Sequence, residues 1–580
     1  HLPAMNRFDH ALIGTLVVLL AIIAVAIGMP AFTPAAAVPS PTPTIPPVAA
    51  YREGMLGGPA AVNPLAARTQ VDRDLVALTF GGLVQLGPDD TFVPDLANRW
   101  TVDETGKSWT FTIRPDARWH DGRPVTAADV VFTINVLRDP GYTGPGAGSW
   151  REVTAEAVNS RTVRFDLTTP LGGFLALTTQ AIAPAHLLGG VPIEALADHP
   201  FGRTPVGSGP FIVTELDDDH AVLEPAATSS LPGATPTAPP VGADPTDGLA
   251  TPEATKRPSV AVPQLPRLEL RFFPDPAPLS AAFEGGELEA ASGLSTADAD
   301  ALATTADAEV LRYPGTTLTT VILNLRPAHP ELRDATVRAA LLAAIDRPGI
   351  IDAVFHGLAR QAESPIPPTS WAYDASVNPA AKPDPVAAAD ALTKAGWTKV
   401  DDRLRPAGAK EAYSIRLLTP DSGANPVLPA VAERVAADWE ALGLDVELVE
   451  AAPGSFFEDL GEGEFTAAVI DISIGHDPDL YPLLAASQTQ SGGLNVMGLQ
   501  DAALDGLLAA ARKPGTDEAR KAAYTALQTQ LAAGRYILPI AFADEVVVVR
   551  DELEGVVVRP VGDPSDRFWD VLTWRLANGR

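Results

Sequence analysis

Hydrophobic and polar residues alternate with period two in some stretches of this chain and recur at helical spacing in others. Residues 109–113 and 163–167 alternate, which predicts two strands. A helix that begins near Glu331 is predicted by apolar residues at the spacing of one helix face, namely Val337, Ala340, Leu341, Ala344 and Ile345. Strands and helices therefore both contribute to the expected core.

The second half of the chain repeats strand and helix patterns in an order typical of a parallel sheet. Residues 414–418, 444–448 and 465–472 read as strands. A helix is predicted between the first two strands, and Gly443 suits its C-terminal cap. Its apolar face holds Val431, Val435, Trp439 and Leu442. This order predicts an α/β fold with a right-handed crossover, and ligands of such sheets bind beyond the carboxyl ends of the strands.

The N-terminal pattern is different, because residues 11–29 are apolar and carry no charge. A helix of that length spans roughly 28 Å, close to the ~30 Å hydrocarbon core of a bilayer. Arg7 precedes the run and the next basic residue is Arg52, so the positive-inside rule places the body outside the cytoplasm. Residues 1–29 are therefore predicted to be a transmembrane anchor. A signal peptide cleaved near residues 35–37 is the alternative, and it exports the body equally.

Two proline-rich stretches lack the pattern of folded elements. Residues 30–50 follow the apolar run and read as an extended spacer between membrane and domain. Residues 225–266 carry many prolines and no aromatic residue, so they cannot bury enough apolar surface to fold. We expect this second stretch to be a disordered surface insertion.

Composition narrows the function further. The chain has 580 residues and a net charge of −30, which disfavours binding to nucleic acid. It contains no cysteine, so disulfides, thiolate nucleophiles and a lipid-modified cysteine are excluded. The 46% hydrophobic content is enough for sizeable cores.

No stretch of the chain carries a recognisable catalytic or metal-binding pattern. His120-Asp121 and His476-Asp477 lie in Gly/Pro contexts typical of turns rather than of metal sites. Residues 106–108 lack the spacing of a phosphate loop and predict a hairpin turn, and residues 207–209 predict a sharp turn at a strand start. Residues 217–219 predict a hairpin tip. We expect no metal and no cofactor. Carboxylates are plentiful, so paired acid–base work stays open as an alternative at this point.

Several local strings resemble one family when they are taken together. Residues 118–132, which begin Arg-Trp-His-Asp-Gly, resemble the fingerprint of family 5 extracellular solute-binding proteins. These are the oligopeptide-, dipeptide- and nickel-binding components of ABC importers. The resemblance continues in family order through residues 205–211, 283–289, 338–347, 365–373, 389–397, 477–479 and 538–540.

The resemblance implies a two-lobed, periplasmic-binding-protein-like fold of the large type II class, with a hinge between the lobes and the ligand closed between them. The first lobe is discontinuous in this family and carries an extra subdomain. Carried onto this chain, the implied parts are residues 51–312 for the first lobe with its subdomain near 84–188, residues 313–500 for the second lobe, and residues 501–580 for the return to the first.

The resemblance also suggests ligand-binding residues. Family members bind ligand near the segments that contain Asn63, Trp371, Tyr373, Asp477, Asp479 and Asn495 here. Packed loop anchors are the alternative for Trp371 and Tyr373, and a helix N-cap is the alternative for at least one aspartate. In the peptide binders an aspartate just upstream of this last Asp-Pro-Asp run holds the peptide's amino group. Ile474 stands at that place, or Asp471 if the alignment shifts, so a peptide with a free N-terminus is in doubt.

The function implied is that of a monomeric, non-enzymatic receptor at the extracytoplasmic face of the cytoplasmic membrane. It binds a peptide or another small polar solute and delivers it to the permease subunits of an ABC importer. A ligand-sensing subunit that signals to a membrane partner would use the same fold. A peptidase-like enzyme on this scaffold is the third reading, and no sequence pattern recommends it.

Overall fold

The computed structural model describes residues 50–88, 91–226, 263–423, 426–490 and 493–577. The predicted anchor, the spacer before residue 50 and most of the proline-rich insertion lie outside these ranges. Within them, no helix combines the length and the apolar character that crossing a bilayer requires.

The strands are short except for two that each exceed ten residues. In chain order they are β1 Tyr51–Leu56, β2 Val84–Leu86, β3 Phe92–Pro94, β4 Ala97–Val102, β5 Ser108–Ile113, β6 Val153–Asn159, β7 Thr162–Leu167, β8 Phe211–Leu216, β9 His220–Pro225, β10 Leu268–Phe273, β11 Ala290–Ser292, β12 Glu309–Leu323, β13 Ala359–Gln361, β14 Thr398–Val400, β15 Arg403–Arg405, β16 Ser414–Pro420, β17 Asp445–Ala451, β18 Ala467–Ser473, β19 Ile537–Val549, β20 Leu553–Glu554 and β21 Arg575–Leu576.

The α-helices surround these strands. They span Gln70–Thr79, Ala127–Leu137, Phe174–Leu177, Ala185–Leu188, Pro276–Glu284, Thr296–Ala306, Ala335–Ala344, Arg347–Val354, Pro385–Lys394, Val427–Leu442, Pro453–Glu462, Tyr481–Leu484, Ala502–Ala511 and Asp517–Gly534. The last long helical segment, Pro564–Thr573, has 3₁₀ geometry.

One mixed sheet runs through the whole described body. Its strand order is β17-β16-β18-β12-β19-β11-β1-β10-β9-β8, with β13 beside β19. Two large hydrophobic clusters lie at the two ends of this sheet. A smaller third cluster lies beside the one that contains Tyr51. The part of the protein whose core is the cluster with Tyr51 and Phe211 is called the first lobe. The part whose core is the cluster with Leu417 and Trp439 is called the second lobe.

The long strands β12 and β19, called the crossing strands, belong to both lobes. Residues 309–314 pair with 544–549 on the first-lobe side, and residues 318–322 pair with 537–542 on the second-lobe side. The antiparallel register breaks between Pro314 and Leu318. A Cβ atom on Gly315 would meet the carbonyl oxygen of Ala543, so the two chains approach at this break as closely as only glycine allows.

A separate four-stranded antiparallel sheet, in the order β4-β5-β7-β6, stands beside the first lobe. Alternate residues of its strands, including Trp109, Phe111 and Phe165, are buried. These side chains belong to the same hydrophobic cluster as the first lobe, so this sheet is packed onto that lobe.

Most of the elements predicted from local patterns are confirmed. The two alternating stretches are β5 and β7. The helix Val427–Leu442 ends at Gly443, which has a φ of 111° and so uses glycine's freedom to adopt a left-handed cap. Strand β16 pairs in parallel with both β17 and β18, as the strand–helix–strand order predicted. The hairpin turns at residues 106–108 and 217–219 also connect the strands they were expected to connect.

Two expectations differ from the structure. The helix expected near Glu331 begins at Ala335, because the Asp334 side chain accepts the Thr336 N–H and caps it there. The helices 502–511 and 517–534, expected to return to the first lobe, bury their apolar faces in the second-lobe cluster instead. An amphipathic helix shows which face is buried but does not show which core receives that face.

Candidate functional site

The segment that follows β18 connects the second lobe to the first. The Ile474 N–H donates a hydrogen bond to the Thr316 carbonyl oxygen of a crossing strand, at 3.3 Å. The His476 Nε2 atom lies 3.0 Å from Asp566 Oδ2 in the C-terminal part of the first lobe. A Cβ atom added to Gly173 would lie 2.5 Å from the Asp477 carboxyl carbon, so this segment also packs against the first lobe. Its residues therefore mark where the two lobes meet.

The surroundings of the Asp566 carboxylate favour its hydrogen bond with His476. Burial raises the pKa of Asp566, but the hydrogen bond from His476 and two backbone N–H donors, Gly562 and Asp563, outweigh burial and hold this pKa below its ordinary value. The carboxylate is therefore ionised at neutral pH and accepts these hydrogen bonds. His476 and Asp566 therefore form a hydrogen-bonded pair between the two lobes.

A cavity of about 280 Å³ opens beside this pair. Its walls are formed by first-lobe residues, and His476 is the wall residue that comes from the second-lobe segment. Phe80, Phe568 and Trp569 supply apolar surface, and Arg559 stacks 4.3 Å from the Trp569 ring centroid. Its size is at the lower end of the ~300–1,000 Å³ typical of small-ligand pockets.

The polar groups of the cavity are engaged with the protein itself. Arg559 donates hydrogen bonds to the Leu86 and Gly87 carbonyl oxygens at 3.1 and 2.9 Å. Arg114 donates to the Asp95 carbonyl oxygen at 3.0 Å. The Ser208 hydroxyl accepts a hydrogen bond from the Gly81 backbone N–H at 3.2 Å. These bonds fix the shape of the wall.

The two predicted aspartates are each paired with an arginine of the second lobe. Asp477 Oδ2 lies 2.7 Å from Arg520, and Asp479 Oδ2 lies 2.9 Å from Arg512. Burial raises the pKa of Asp479, and Arg512 opposes this shift. Asp479 also accepts the N–H of Tyr481, the first residue of a short helix whose N-cap residue is Leu480.

The two predicted aromatic residues lie on the same part of the second lobe. The Trp371 ring packs edge-on against Tyr524 at 5.1 Å, and the Arg520 guanidinium lies 4.4 Å from its centroid. The Tyr373 hydroxyl donates to the Asn378 carbonyl oxygen at 3.4 Å, and burial raises the pKa of this phenol. Trp371 is therefore coupled through Arg520 to the aspartate that packs against the first lobe.

The two predicted asparagines are buried and hold loops together. Asn63 is 0% exposed; it donates to the Leu196 carbonyl oxygen and accepts the Leu65 N–H. Asn495 is 2% exposed and donates to three backbone carbonyl oxygens, while its own oxygen accepts the Leu499 N–H. The NH₂ group and the oxygen of each side-chain amide are therefore both hydrogen-bonded within the protein.

The place expected for an ammonium anchor holds an apolar side chain. Ile474 packs against the second-lobe cluster as an apolar side chain. Asp471 accepts a hydrogen bond from the Thr319 hydroxyl at 2.6 Å. The structure therefore brings Ile474 close to the crossing strands without providing a carboxylate there.

Sequence reasoning missed a charge network beneath this region. Arg567 is 2% exposed and reaches Glu53 at 2.6 Å and Asp74 at 2.8 Å, although it follows both of them by hundreds of positions in sequence. It also missed Glu545, which lies on crossing strand β19 opposite Tyr313. The signal that sequence does hold is that Asp544 and Glu545 interrupt an otherwise apolar strand.

The described part of the chain holds histidine, aspartate and glutamate side chains that could serve as metal ligands. No group of three or more His, Asp or Glu side chains there is arranged to hold a metal ion. His120, one of the screened histidines, instead lies within 3.0 Å of the Gly209 carbonyl oxygen.

Comparison with known proteins gives a consistent picture. The family model described as bacterial extracellular solute-binding proteins, family 5 Middle, matches residues 91–493. A dipeptide-binding protein of Pseudomonas aeruginosa is 26% identical over 530 residues, which cover 87% of this chain and 91% of that protein. Heme-binding protein A of Haemophilus influenzae is 26% identical over 507 residues, which cover 82% of this chain and 83% of that protein.

Solved structures confirm the mixed α/β, two-lobed fold. A putative peptide binding protein, AppA, from Clostridium difficile superposes with a TM-score of 0.72 at 19% identity, covering 91% of this chain and 100% of that one. At such identity the likeness shows the fold, while the family model, which matches more than half of the chain, shows the family. The chain belongs to the family 5 bacterial extracellular solute-binding proteins.

Proposed function

We propose that this chain binds a small polar solute, peptides included, between its two lobes outside the cytoplasm and delivers it to an ABC importer. One observation carries the proposal: strands β12 and β19 run through both lobes, and residues 474–477 of the second lobe lie against the first. Two lobes joined by such strands can open and close by hinge motion. A solute that binds the closed form better than the open form shifts the protein toward closure.

The solute is proposed to be small because the cavity beside the interlobe pair measures about 280 Å³, although relatives of this chain are named for ligands of several sizes, oligopeptides included. One is named for dipeptides and another for haem. Among the wall groups of the cavity, aromatic and arginine side chains provide surfaces on which either a side chain or a planar group could pack.

Solution scattering of the full chain tests closure. We expect the radius of gyration to fall when the right solute is added and to stay unchanged with solutes that do not bind. A solute that binds tightly without compaction would contradict the proposal. Loss of uptake of that solute in a deletion strain would distinguish delivery to an importer from sensing.

The second-lobe residues predicted from the resemblance receive a related role. We propose that Trp371, Arg520 and Asp477 form the second-lobe surface that closes against Gly173, and that Asn63 and Asn495 keep the neighbouring loops in shape. The pairing of Asp477 with Arg520 and the close packing at Gly173 support this. Replacing Gly173 by alanine should weaken solute binding without removing any predicted contact residue; unchanged affinity would contradict the role.

The non-enzymatic role is proposed from the family, whose described activity is solute binding. Incubation of the purified chain with a peptide library should leave every peptide intact. Appearance of cleavage products that increase with protein concentration would overturn this part of the proposal.

We also propose that residues 11–29 tether the body to the membrane. The support is the uncharged length of this run and the distribution of Arg7 and Arg52 around it. The protein should remain in the membrane fraction after a high-salt wash. A soluble mature form that begins near Val38 would show cleavage instead.

A further inference from the structure

The cavity beside the pair of His476 and Asp566 is built almost entirely by the first lobe and the sheet packed onto it. Among its wall residues, His476 is the one that the second-lobe segment supplies. The other wall segments approach each other closely, since a Cβ atom on Gly82 would lie 2.5 Å from the Thr179 carbonyl oxygen. Such close backbone packing means that the first lobe determines the shape of the cavity by itself.

Aromatic rings supply much of the apolar surface of this wall. Phe80 and Phe568 are each 4% exposed, and Trp569 is partly exposed. The Arg559 guanidinium lies 4.3 Å from the Trp569 ring centroid, and the indole Nε1 donates to the Val557 carbonyl oxygen at 3.1 Å. These contacts fix the orientation of the indole. Fixed aromatic rings pack best against other flat rings.

The volume of the cavity sets the size of its solute. An apolar cavity of about 150 Å³ is large enough to bind benzene. This cavity measures about 280 Å³. The ratio of roughly two corresponds to two fused rings rather than to a single ring.

The charged groups of the wall balance one another. The wall contains two arginines, Arg114 and Arg559, and two aspartates, Asp95 and Asp566, and no lysine or glutamate is among its described residues. Each of these four makes at least one hydrogen bond within the protein. A solute with a net charge would therefore meet no net opposite charge in this wall, and its burial would be unfavourable.

One buried hydroxyl of the wall has a proton to donate. Ser208 is 5% exposed, and its oxygen accepts the Gly81 N–H at 3.2 Å. Within the described residues this hydroxyl donates to no other group. A serine hydroxyl is a donor as well as an acceptor, and buried polar groups generally have partners. A carbonyl oxygen or ring nitrogen of a solute would supply the missing acceptor.

We propose that this cavity binds an uncharged, planar heteroaromatic solute of about two rings, whose acceptor atom takes the hydrogen bond of Ser208. The proposal rests on the function proposed above and names its solute class. The ring packs against Trp569 and Phe80, and His476 completes the wall from the second-lobe side. The solute therefore contacts both lobes, and flatness rather than charge selects it.

Calorimetry on the full chain compares neutral rings with matched molecules that each differ in one feature. The neutral probes are quinolin-2-one and isoquinolin-1-one, which are planar and carry their carbonyl acceptors at different positions. Octahydroquinolin-2-one lacks the flat ring, naphthalene lacks the acceptor, and quinoline-2-carboxylate adds a charge. At least one neutral probe should bind about tenfold more tightly than each of these comparison molecules.

Three variants test the wall. Trp569→Leu removes the indole ring and should lower the affinity for the better neutral probe about tenfold, with no change for octahydroquinolin-2-one. Ser208→Ala should lower the affinity for the same probe about tenfold and leave that for naphthalene unchanged. Ala181→Leu places a larger side chain in a partly buried part of the wall and should weaken the binding of every probe.

A matched control makes an aromatic-to-leucine change elsewhere. Phe457 is 70% exposed on the helix Pro453–Glu462 of the second lobe, so Phe457→Leu should leave all affinities unchanged. A thermal unfolding scan of each variant shows that it is folded.

Four results would overturn the inference. They are tighter binding of the carboxylate than of both neutral probes, equal binding of octahydroquinolin-2-one and the better neutral probe, no binding of either neutral probe, and equal affinity of wild type and Trp569→Leu. Solution scattering separates these from failure of the receptor function. If the chain compacts on a charged or non-planar solute, the receptor function stands and the solute class falls. If a neutral probe binds as expected without compaction, the site stands and the proposed closure falls.

Discussion

Replacing Arg567 by methionine removes the only cation in direct contact with Glu53 and Asp74 among the described residues. The methionine side chain is similar in length to the aliphatic part of the arginine side chain, but it carries no charge and donates no hydrogen bond. Glu53 and Asp74 are 0% and 1% exposed, so water cannot replace the guanidinium. Breaking a buried pair in this way costs about 3–5 kcal/mol, because a charge is left without compensation.

The pH dependence of this loss follows from the carboxyl groups. Burial already raises the pKa of Asp74 to about 6 in the presence of Arg567. Without Arg567 the folded variant must take up protons that the unfolded chain does not hold at pH 7, at a cost of about 1.4 kcal/mol per pH unit for each such carboxyl. The raised pKa values make the folded variant relatively more stable as the pH falls. We therefore expect the loss to shrink to about 1 kcal/mol at pH 5.

Urea unfolding followed by tryptophan fluorescence at pH 7 and pH 5 measures this difference. The control is Arg203→Met, because Arg203 forms an exposed pair with Asp218 at 2.8 Å. The control should lose less than about 1 kcal/mol at either pH. A loss for Arg567→Met below that of the control at pH 7, or a larger loss at pH 5 than at pH 7, would refute the reasoning.

Two further predictions concern the region between the lobes. His476→Gln should weaken solute binding by about 3- to 10-fold in calorimetry, because the pair with Asp566 contributes about 1 kcal/mol to the closed form; unchanged affinity would contradict this. Gly315→Ala should lower the free energy of unfolding by about 1–3 kcal/mol, whereas Gly454→Ala, whose methyl group meets nothing within 4 Å, should not lower it.

Local patterns predicted those elements whose stability is decided by neighbouring residues. The apolar face of the helix Val427–Leu442 and the glycine after it lie within one short stretch, and the structure has both. The same holds for β5 and β7, whose alternation matches one buried and one exposed face. Such features need no knowledge of the rest of the chain.

Residues brought together from distant parts of the chain were beyond sequence reasoning. Asp477 and Asp479 were identified as ligand candidates from a family resemblance, but nothing near them in sequence indicates that Arg520 and Arg512 neutralise them. The helices that carry these arginines were assigned to the other lobe for the same reason. Periodicity shows that a face is buried, while the partner of that face depends on the topology of the whole sheet.

The pairing of charges at the lobe boundary affects how readily the two lobes can meet. The second-lobe aspartates at the lobe boundary are neutralised by their own arginines, and Ile474 is apolar, so this surface can approach the first lobe without a solute. Because Asp477 and Asp479 are already paired within their own lobe, a solute need not supply a counter-charge to either of them when the lobes meet.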